Sequence, residues 1–490
     1  MATSPPSVEG GFRTRTRRAG PALVALAIAL GAPSARASGL FSSQRGVRPV
    51  GRGGAFVAGA DDLGAIAYNP AGIAEAGSQL LLDASIFQFS TSFARVAPLQ
   101  TIDPNTGEVI STFEQRFATV KNAAPLLPLP TIAGSYRIDD RFVVAAGLYA
   151  PYTSLLNYPE QAGGGPAPQR YSLLTLEGSL LSIAGVYVGA RLAPWVEVGA
   201  GVTALFGTLQ TTTYTNNCVP DRFLCAPESP DYDAKARVRG NLFAPSGTVG
   251  VTVIPHAKVR LGASFSLPYW VNAGGTLKSQ IPSASVFQNA SLAGEKINLG
   301  FRLPWVARLG VEARPTAATR VELSFGYEAW SMHDRIQVDS EDVVLRNIAL
   351  FPPEYRVTDL TIPRNYRDAW SLSLGGEQAV KLGTLGLDLR AGVAYERSAV
   401  PPAYLSVFSP DYDKLAFSAG AGLHVTQRLR IDVSGAFALP TTIDVGTDEA
   451  RLPKVSALRV SVPDDETPIN AGRYKMSIIV AGLGARYLFQ

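Results

Sequence analysis

From Leu80 to the C-terminus the chain carries fourteen segments of strand character, and in many of them apolar residues recur at every second position. The longest run covers residues 297–311. Its odd positions read Ile297, Leu299, Phe301, Leu303, Trp305, Ala307, Leu309 and Val311, and its even positions Asn298, Gly300, Arg302, Pro304, Val306, Arg308 and Gly310. Elsewhere Val321, Leu323, Phe325 and Tyr327 oppose Glu322, Ser324 and Glu328. In the same way Leu387, Leu389 and Val393 oppose Asp388 and Arg390, and Leu429, Ile431, Val433 and Phe437 oppose Arg430, Asp432 and Ser434. A period of two belongs to strands, not helices. Sustained past the usual length of a globular strand, it suits a tilted strand with lipid on one side and a polar lumen on the other. On this reading the odd face of residues 297–311 meets lipid and the even face meets the lumen.

The connections between segments alternate in length. Tight turns fall at residues 138–141, 193–194, 255–257, 315–319, 382–383 and 426–428. Long links cover about 96–129, 151–169, 211–233, 278–293, 333–364, 399–410 and 441–472. Strict alternation of this kind predicts an antiparallel transmembrane β-barrel with short periplasmic turns, long extracellular loops and both termini in the periplasm. The fold class expected is therefore all-β, a barrel of fourteen strands.

The N-terminus agrees with export. Arg13, Arg15, Arg17 and Arg18 precede an apolar core at residues 21–32 and a small-x-small site at Ala35-Arg36-Ala37, which reads as a signal peptide over residues 1–37 cleaved before Ser38. The apolar core is about 12 residues, short of the roughly 20 that a spanning helix needs, and no later run reaches that length. Forty-four basic against 40 acidic residues leave a net charge of +4, too balanced for a nucleic-acid stripe. Only 17% of residues are charged while 47 are Gly and 35 Pro, a mixture that favours strands, turns and close packing over helices. Cys218 and Cys225, alone in a polar link, are expected to form a disulfide.

Aromatic residues sit where strands meet the long links: Tyr269 and Trp270, Tyr327 and Trp330, Tyr366 and Trp370. These are expected to form an interfacial girdle. In the last segment Ile479, Ala481, Leu483, Ala485, Tyr487 and Phe489 share one face, which resembles the closing strand read by the barrel assembly machinery.

Residues 51–73, GRGGAFVAGADDLGAIAYNPAGI, break the pattern. They hold too much Gly and Ala for a strand, and Asp61-Asp62 and Asn69-Pro70 interrupt any long helix. A small plug is expected. The order Arg-Gly-Gly-Ala, then Asp61 and Asp62, then Tyr68-Asn69-Pro70-Ala71-Gly72-Ile73 resembles the N-terminal hatch of the FadL/TodX (OmpP1) family of outer-membrane hydrophobic-compound transporters. Further segments keep that family's order: Pro128-Leu129-Pro130, residues 303–331, residues 366–395 and Pro410-Asp411-Tyr412-Asp413. The resemblance implies a hatch over residues 38–79 inside a barrel over 80–490. It further implies passive transport of long-chain fatty acids or other hydrophobic compounds, with lateral release through a gap at an irregular third strand. That strand would be residues 142–149, with Gly147 and Pro151 as kink points.

For capture, Ile281, Val286, Phe287 and Leu292 in the link at residues 278–293 offer apolar contacts. By parity Arg302 and Arg308 face the lumen, where either could hold a carboxylate or balance lumen acids. Ser-Pro-Asp-Tyr-Asp occurs at residues 229–233 and 409–413. It reads as a turn followed by a girdle tyrosine, with a lipopolysaccharide-bridging cation as the other option. Asp61 and Asp62 are expected to cap or pair locally. His256, His333 and His424 have no metal-ligand spacing, and no nucleophile is marked for His424, so no enzyme, metal or cofactor is expected. The expected partners are a hydrophobic ligand, outer-membrane lipid and lipopolysaccharide, with no nucleic acid, and the chain is expected as a monomer. The alternatives are a general porin for small polar solutes and a structural or adhesive barrel.

Overall fold

The computed structural model describes residues 44–103, 106, 108–126, 128–152, 156–218, 228–383, 385–456, 458 and 467–489. The signal segment at residues 1–37 and Cys225 lie outside this set. Fourteen antiparallel strands follow one another around a closed wall. They are β1 (Gln79–Ile102), β2 (Pro128–Arg137), β3 (Phe142–Tyr152), β4 (Leu180–Ala193), β5 (Val196–Asn216) and β6 (Asp233–His256). Next come four interrupted strands: β7 (Val259–Ser266, then Tyr269–Ser279), β8 (Lys296–Leu303, then Val306–Thr316), β9 (Thr319–Glu328, then Arg335–Ser340) and β10 (Leu360–Pro363, then Ala369–Leu382). The set ends with β11 (Leu385–Glu396), β12 (Lys414–His424), β13 (Leu429–Val445) and β14 (Gly472–Leu488). β14 closes on β1 from Gln79↔Leu488 to Arg95↔Gly472. Closure leaves no open edge, the condition for a sheet to stand in lipid.

In the lower part of the wall the alternation behaves as the sequence predicts. Leu323, Phe325, Leu389, Val433, Phe437, Ile479 and Leu483 are exposed on the outside, while Glu322, Asp388, Arg390 and Asp432 are buried inside. Toward the long links the faces reverse. Ile297 and Leu299 on β8 are buried at 1% and 2% exposure, whereas Leu309 and Val311 on the same strand are 56% and 49% exposed. The expected single strand over residues 297–311 is therefore corrected. It breaks at Pro304-Trp305, which shifts parity by one, so Ile297, Leu299 and Leu303 point inward and Arg302 is exposed. β7 breaks in the same way at Leu267-Pro268. Below the break Arg260 and Ser264 are buried, and above it Tyr269, Val271 and Ala273. A proline that cannot donate to the ladder marks each break. Beyond lipid the outside is water, so the apolar residues turn to the interior.

The aromatic girdle is half as expected. Trp270 is exposed with Arg302 stacked 5.0 Å over it, and Trp305–Tyr327 and Trp370–Tyr395 pair at 5.2 Å. Tyr269, Trp330 and Tyr366 are instead buried. The third strand is irregular beyond Tyr149, where its pairing with β4 shifts register before Tyr152. Gly147 is not a kink, because it stays in register with Ala133 and Gly185.

Candidate functional site

The N-terminal residues form short turns of helix, Val47–Gly51, Leu63–Ala67, Pro70–Gly72 and Ile73–Ala76, packed against the inner wall. Asp62 caps the second by accepting from Gly64 N at 2.8 Å, and Asn69 caps the third by accepting from Ala71 N at 3.1 Å. Both serve the side-chain role that Asp and Asn favour at helix starts. Asn69 also donates through Nδ2 to Val57 O, Val251 O and Thr252 Oγ1, tying the hatch to β6.

The wall is bare where the hatch touches it. A Cβ at Gly199, Gly250, Gly262, Gly310, Gly375 or Gly392 would overlap hatch atoms of Pro70, Asn69, Ala58 or Arg52. These glycines are on β5, β6, β7, β8, β10 and β11, so the high glycine count buys close approach of two backbones in the waist of the barrel.

Charge completes the contact. Glu322 on β9 accepts from the backbone N–H groups of Val57, Ala58 and Gly59 at 2.6, 3.0 and 2.9 Å, from Ser324 Oγ at 2.7 Å, and pairs with Arg52 at 3.3 Å. Arg48 joins Asp61, Asp62 and Glu377, while Arg320 reaches Asp61 and Glu312, and Arg486 reaches Asp62. Burial disfavours the Asp61 carboxylate, yet Arg320 and Arg48 beside it hold its pKa well below the usual carboxylate range. Arg390 bridges Glu377 and Asp432 at 2.6 and 2.7 Å. Asp61 and Asp62 thus pair both with Arg48 inside the N-terminal segment and with Arg320 and Arg486 of the wall. No cluster able to hold a metal ion exists among the described residues.

Above the hatch, between the outer halves of β5–β10 and the long links, lies an apolar cavity of about 150 Å³. Leu209, Val238, Leu277, Leu299, Ile336 and Val338 line it from the strands, and Ile281, Phe287 and Leu292 from the link after β7. Val286 packs beside these residues. The reversed face of β8 is what places Leu299 here.

Among the described residues one cation reaches this cavity. Arg364, between the two parts of β10, is 2% exposed, donates to Ser409 Oγ at 3.1 Å and lies 4.2 Å over the Phe408 ring. Its Nε has no partner, and among the described residues no carboxylate stands within ion-pair distance of it. Arg364 belongs to no periodic run and carries no signal in the sequence. Of the two arginines expected by parity in the lumen, Arg302 lies on the outer face. Arg308 faces inward and lines a small lower pocket of about 30 Å³ with Arg45, Tyr149, Thr203, Thr248 and Tyr269, just above the hatch.

The first Ser-Pro-Asp-Tyr-Asp copy forms a 3-10 turn at Pro230–Tyr232 and the second runs from a bend into β12, and their tyrosines are not girdle residues: Tyr412 is fully buried and Tyr232 packs edge-on to Phe287. Asp233 pairs with Arg170 at 2.7 Å, Asp411 accepts from Ser398 Oγ and Asp413 from Ser398 N. Cys218 is buried and disulfide-bonded. His333 donates from Nδ1 to Arg302 O at 2.7 Å, His424 contacts Asp388 at 2.9 Å and His256 is exposed at the end of β6.

The profile of the family described as "Outer membrane protein transport protein (OMPP1/FadL/TodX)" matches residues 28–489. A long-chain fatty acid transport protein of Escherichia coli is 23% identical over 401 residues, 77% of this chain and 81% of its own. A 47 kDa outer membrane protein of Pasteurella multocida is 23% identical over 435 residues, 84% and 90% of the two chains. A Pseudomonas aeruginosa FadL homologue superposes with a TM-score of 0.68 at 16% identity, covering 92% of this chain and 100% of its own. The Pseudomonas putida toluene transporter TodX gives 0.61 at 16% identity, with 92% and 100% covered.

Proposed function

Because this chain belongs to the OMPP1/FadL/TodX family of outer-membrane transporters of hydrophobic compounds, we propose that its substrate is an amphiphile with a single carboxylate and a long apolar tail. Long-chain fatty acids are the natural members of that class. The observation that carries this reading is Arg364, a buried guanidinium without an acid partner among the described residues, in a cavity lined mainly by apolar side chains with uncharged Ser, Thr, Asn and Gln between them. A buried cation unpaired by the protein is costly, and a bound carboxylate relieves that cost while the tail occupies the surface made by Ile281, Phe287, Leu292 and Leu299. A purely aromatic hydrocarbon would leave the guanidinium unanswered. Arg308, in the lower pocket, supports a second station for the head group on the way down.

Transport needs no energy source. The tail prefers lipid to water, so a gradient moves the solute from loops to cavity to bilayer, with lateral release into the membrane above the hatch. A general porin for polar solutes fits less well, since the hatch fills the waist. The family consists of transporters, and no catalytic step is assigned. Export by the N-terminal signal, insertion by the barrel assembly machinery, lipopolysaccharide around the loops, a Cys218–Cys225 disulfide and a monomeric state complete the proposal.

The test compares binding of a long-chain fatty acid and its alcohol to purified protein. Charge-assisted hydrogen bonds contribute about 1.5–3 kcal/mol, so Arg364→Gln should weaken the acid roughly 10- to 100-fold and leave the alcohol unchanged. Arg302→Gln should change neither. Equal affinity of the wild-type protein for acid and alcohol would refute the carboxylate reading.

A further inference from the structure

The wall of a barrel in lipid is sealed by its ladder, because a backbone group left unpaired there costs several kcal/mol. Between β6 and β7 the ladder is interrupted. It runs from His256↔Val259 up to Thr248↔Ser266, and resumes only at Gly240↔Gly275. Residues 241–247 of β6 and 267–274 of β7 face one another across this interval without ladder pairs. Two hydrogen bonds span its lower lip: Leu267 N donates to Gly247 O, and Ser246 Oγ donates to Leu267 O, each at 2.9 Å. Pro245 on one side and Pro268 on the other bring no N–H to close it.

The two faces of this lip are both hollow. Inside, the pocket lined by Arg45, Tyr149 and Arg308 includes Gly247, Thr248 and Leu267. Outside, a groove of about 980 Å³ runs along the wall, lined by Tyr136, Val144, Val186, Val202, Val249 and Phe265, and it includes the same Gly247, Thr248 and Leu267. On the inner face the Tyr187 ring of β4 lies over its cross-strand partner Gly201, where a Cβ would strike it. The groove is made of exposed apolar residues, so it opens to lipid. Trp270 and Arg302, stacked just above the break of β7, set it below the outer interface.

An apolar strip leads down to the lip from within. The upper cavity is lined by Leu209, Val238 and Leu277 on β5, β6 and β7. Below it the same three strands present Leu205, Leu242, Ala244, Val271 and Ala273 to the interior, all buried in one contiguous core. At its foot Tyr269 and Thr203 join through their hydroxyls at 3.1 Å beside the lower pocket.

We infer that the substrate leaves sideways between β6 and β7, through the lip formed by Gly247, Thr248 and Leu267, into the outer leaflet of the membrane. This outlet rests on the transport reading above and differs from the third-strand gap that the family resemblance implies. The head group pauses at Arg308 and Arg45 while the tail passes between Pro245 and Pro268. Parting the lip breaks the two hydrogen bonds at Leu267 and then the side-chain bonds of Thr248, which donates to Phe265 O at 3.3 Å and accepts from Ser266 Oγ at 3.1 Å, rather than a length of ladder, and the groove outside receives the tail.

The lip can be pinned. Continuing the register below it sets Gly247 opposite Leu267 on the same face, and a Cβ on Gly247 would lie 3.6 Å from the Leu267 side chain. In a Cys218→Ser, Cys225→Ser background, Gly247→Cys with Leu267→Cys gives a disulfide across it. A second pair, Ile132→Cys with Leu148→Cys, pins β2 to β3 at opposed positions. Uptake of a labelled fatty acid is measured in cells before and after reduction, and binding is measured on the purified oxidised proteins. The outlet predicts that the β6–β7 disulfide reduces uptake to that of cells lacking the protein, that reductant restores it, that binding persists, and that the β2–β3 disulfide leaves uptake intact. Gly247→Leu, which fills the lip without cysteine, should act like the disulfide. Full uptake with the β6–β7 bond closed overturns the outlet, as does equal loss with both bonds, which would assign the requirement to wall flexibility. Absence of uptake by the unmodified protein would instead count against the transport reading itself.

Discussion

Glu322 is the wall residue on which the hatch depends most, and its removal has a calculable effect. Its carboxylate receives three hatch backbone N–H groups, a serine hydroxyl and the Arg52 guanidinium, with both Glu322 and Arg52 fully buried. In Glu322→Ala the three N–H groups lose their acceptor, and each buried donor left unsatisfied costs about 1–3 kcal/mol. Water admitted to the vacated space recovers part of this, and Arg52 keeps Glu312 at 3.0 Å. Docking of the hatch should weaken by about 3–5 kcal/mol, which raises the undocked population roughly 10²- to 10⁴-fold. The ladder of β8–β10 does not involve this side chain, so the barrel should persist. Hydrogen exchange resolved by mass spectrometry reads both: peptides over residues 51–62 should lose protection while peptides from β11–β14 do not, and ion conductance in planar bilayers should rise. Glu322→Gln keeps one acceptor oxygen for Val57 and Ala58 and turns an amide against Gly59 N, so its effect should be smaller. Unchanged protection of residues 51–62 in Glu322→Ala would refute the claim that this carboxylate anchors the hatch.

Two further outcomes follow from the same geometry. Gly375→Val puts side-chain atoms on the Arg52 carbonyl, an overpacking cost of about 1–3 kcal/mol or more, and should expose the N-terminal segment to protease in intact outer membranes. Gly274→Ala, with open space around it, should not. In the outer links, burial opposes the Glu228 carboxylate but Arg95 beside it pulls its pKa down to about 2. A depressed folded pKa means that the pair stabilises above the unfolded value near 4.3 and is lost as pH falls toward about 2, a swing on the order of 3 kcal/mol. Proteolysis of the link after β5 should therefore accelerate between about pH 4 and pH 2, and Glu228→Gln should show fast cleavage at neutral pH without that acid step.

The strand count, the alternation of turns and links, and the lipid-facing residues of the lower wall were all legible in the sequence. Lipid and lumen impose opposite demands on alternate residues there, so Leu323 against Glu322 or Leu389 against Arg390 leaves one sensible orientation. The upper wall was not legible, since alternation shows that two faces differ and carries no sign. Leu299 and Leu309 look alike in sequence, and only the break at Pro304-Trp305 separates an inward leucine from an outward one. Arg302 was misplaced for that reason, and Tyr269, Trp330 and Tyr366 were assigned to a girdle they do not join. Arg364 could not be found by pattern at all. Its significance comes from what surrounds it, and residues from six strands and several links make that environment.

The reversal of faces along β7 and β8 separates two events that a simple hole would merge. In the crown, water is outside and oil is within, so a greasy solute sheds its hydration shell there, before it reaches the bilayer. Entry into the membrane is then a passage from one dry medium to another, and its rate is governed by how readily the wall parts and no longer by the solubility of the solute.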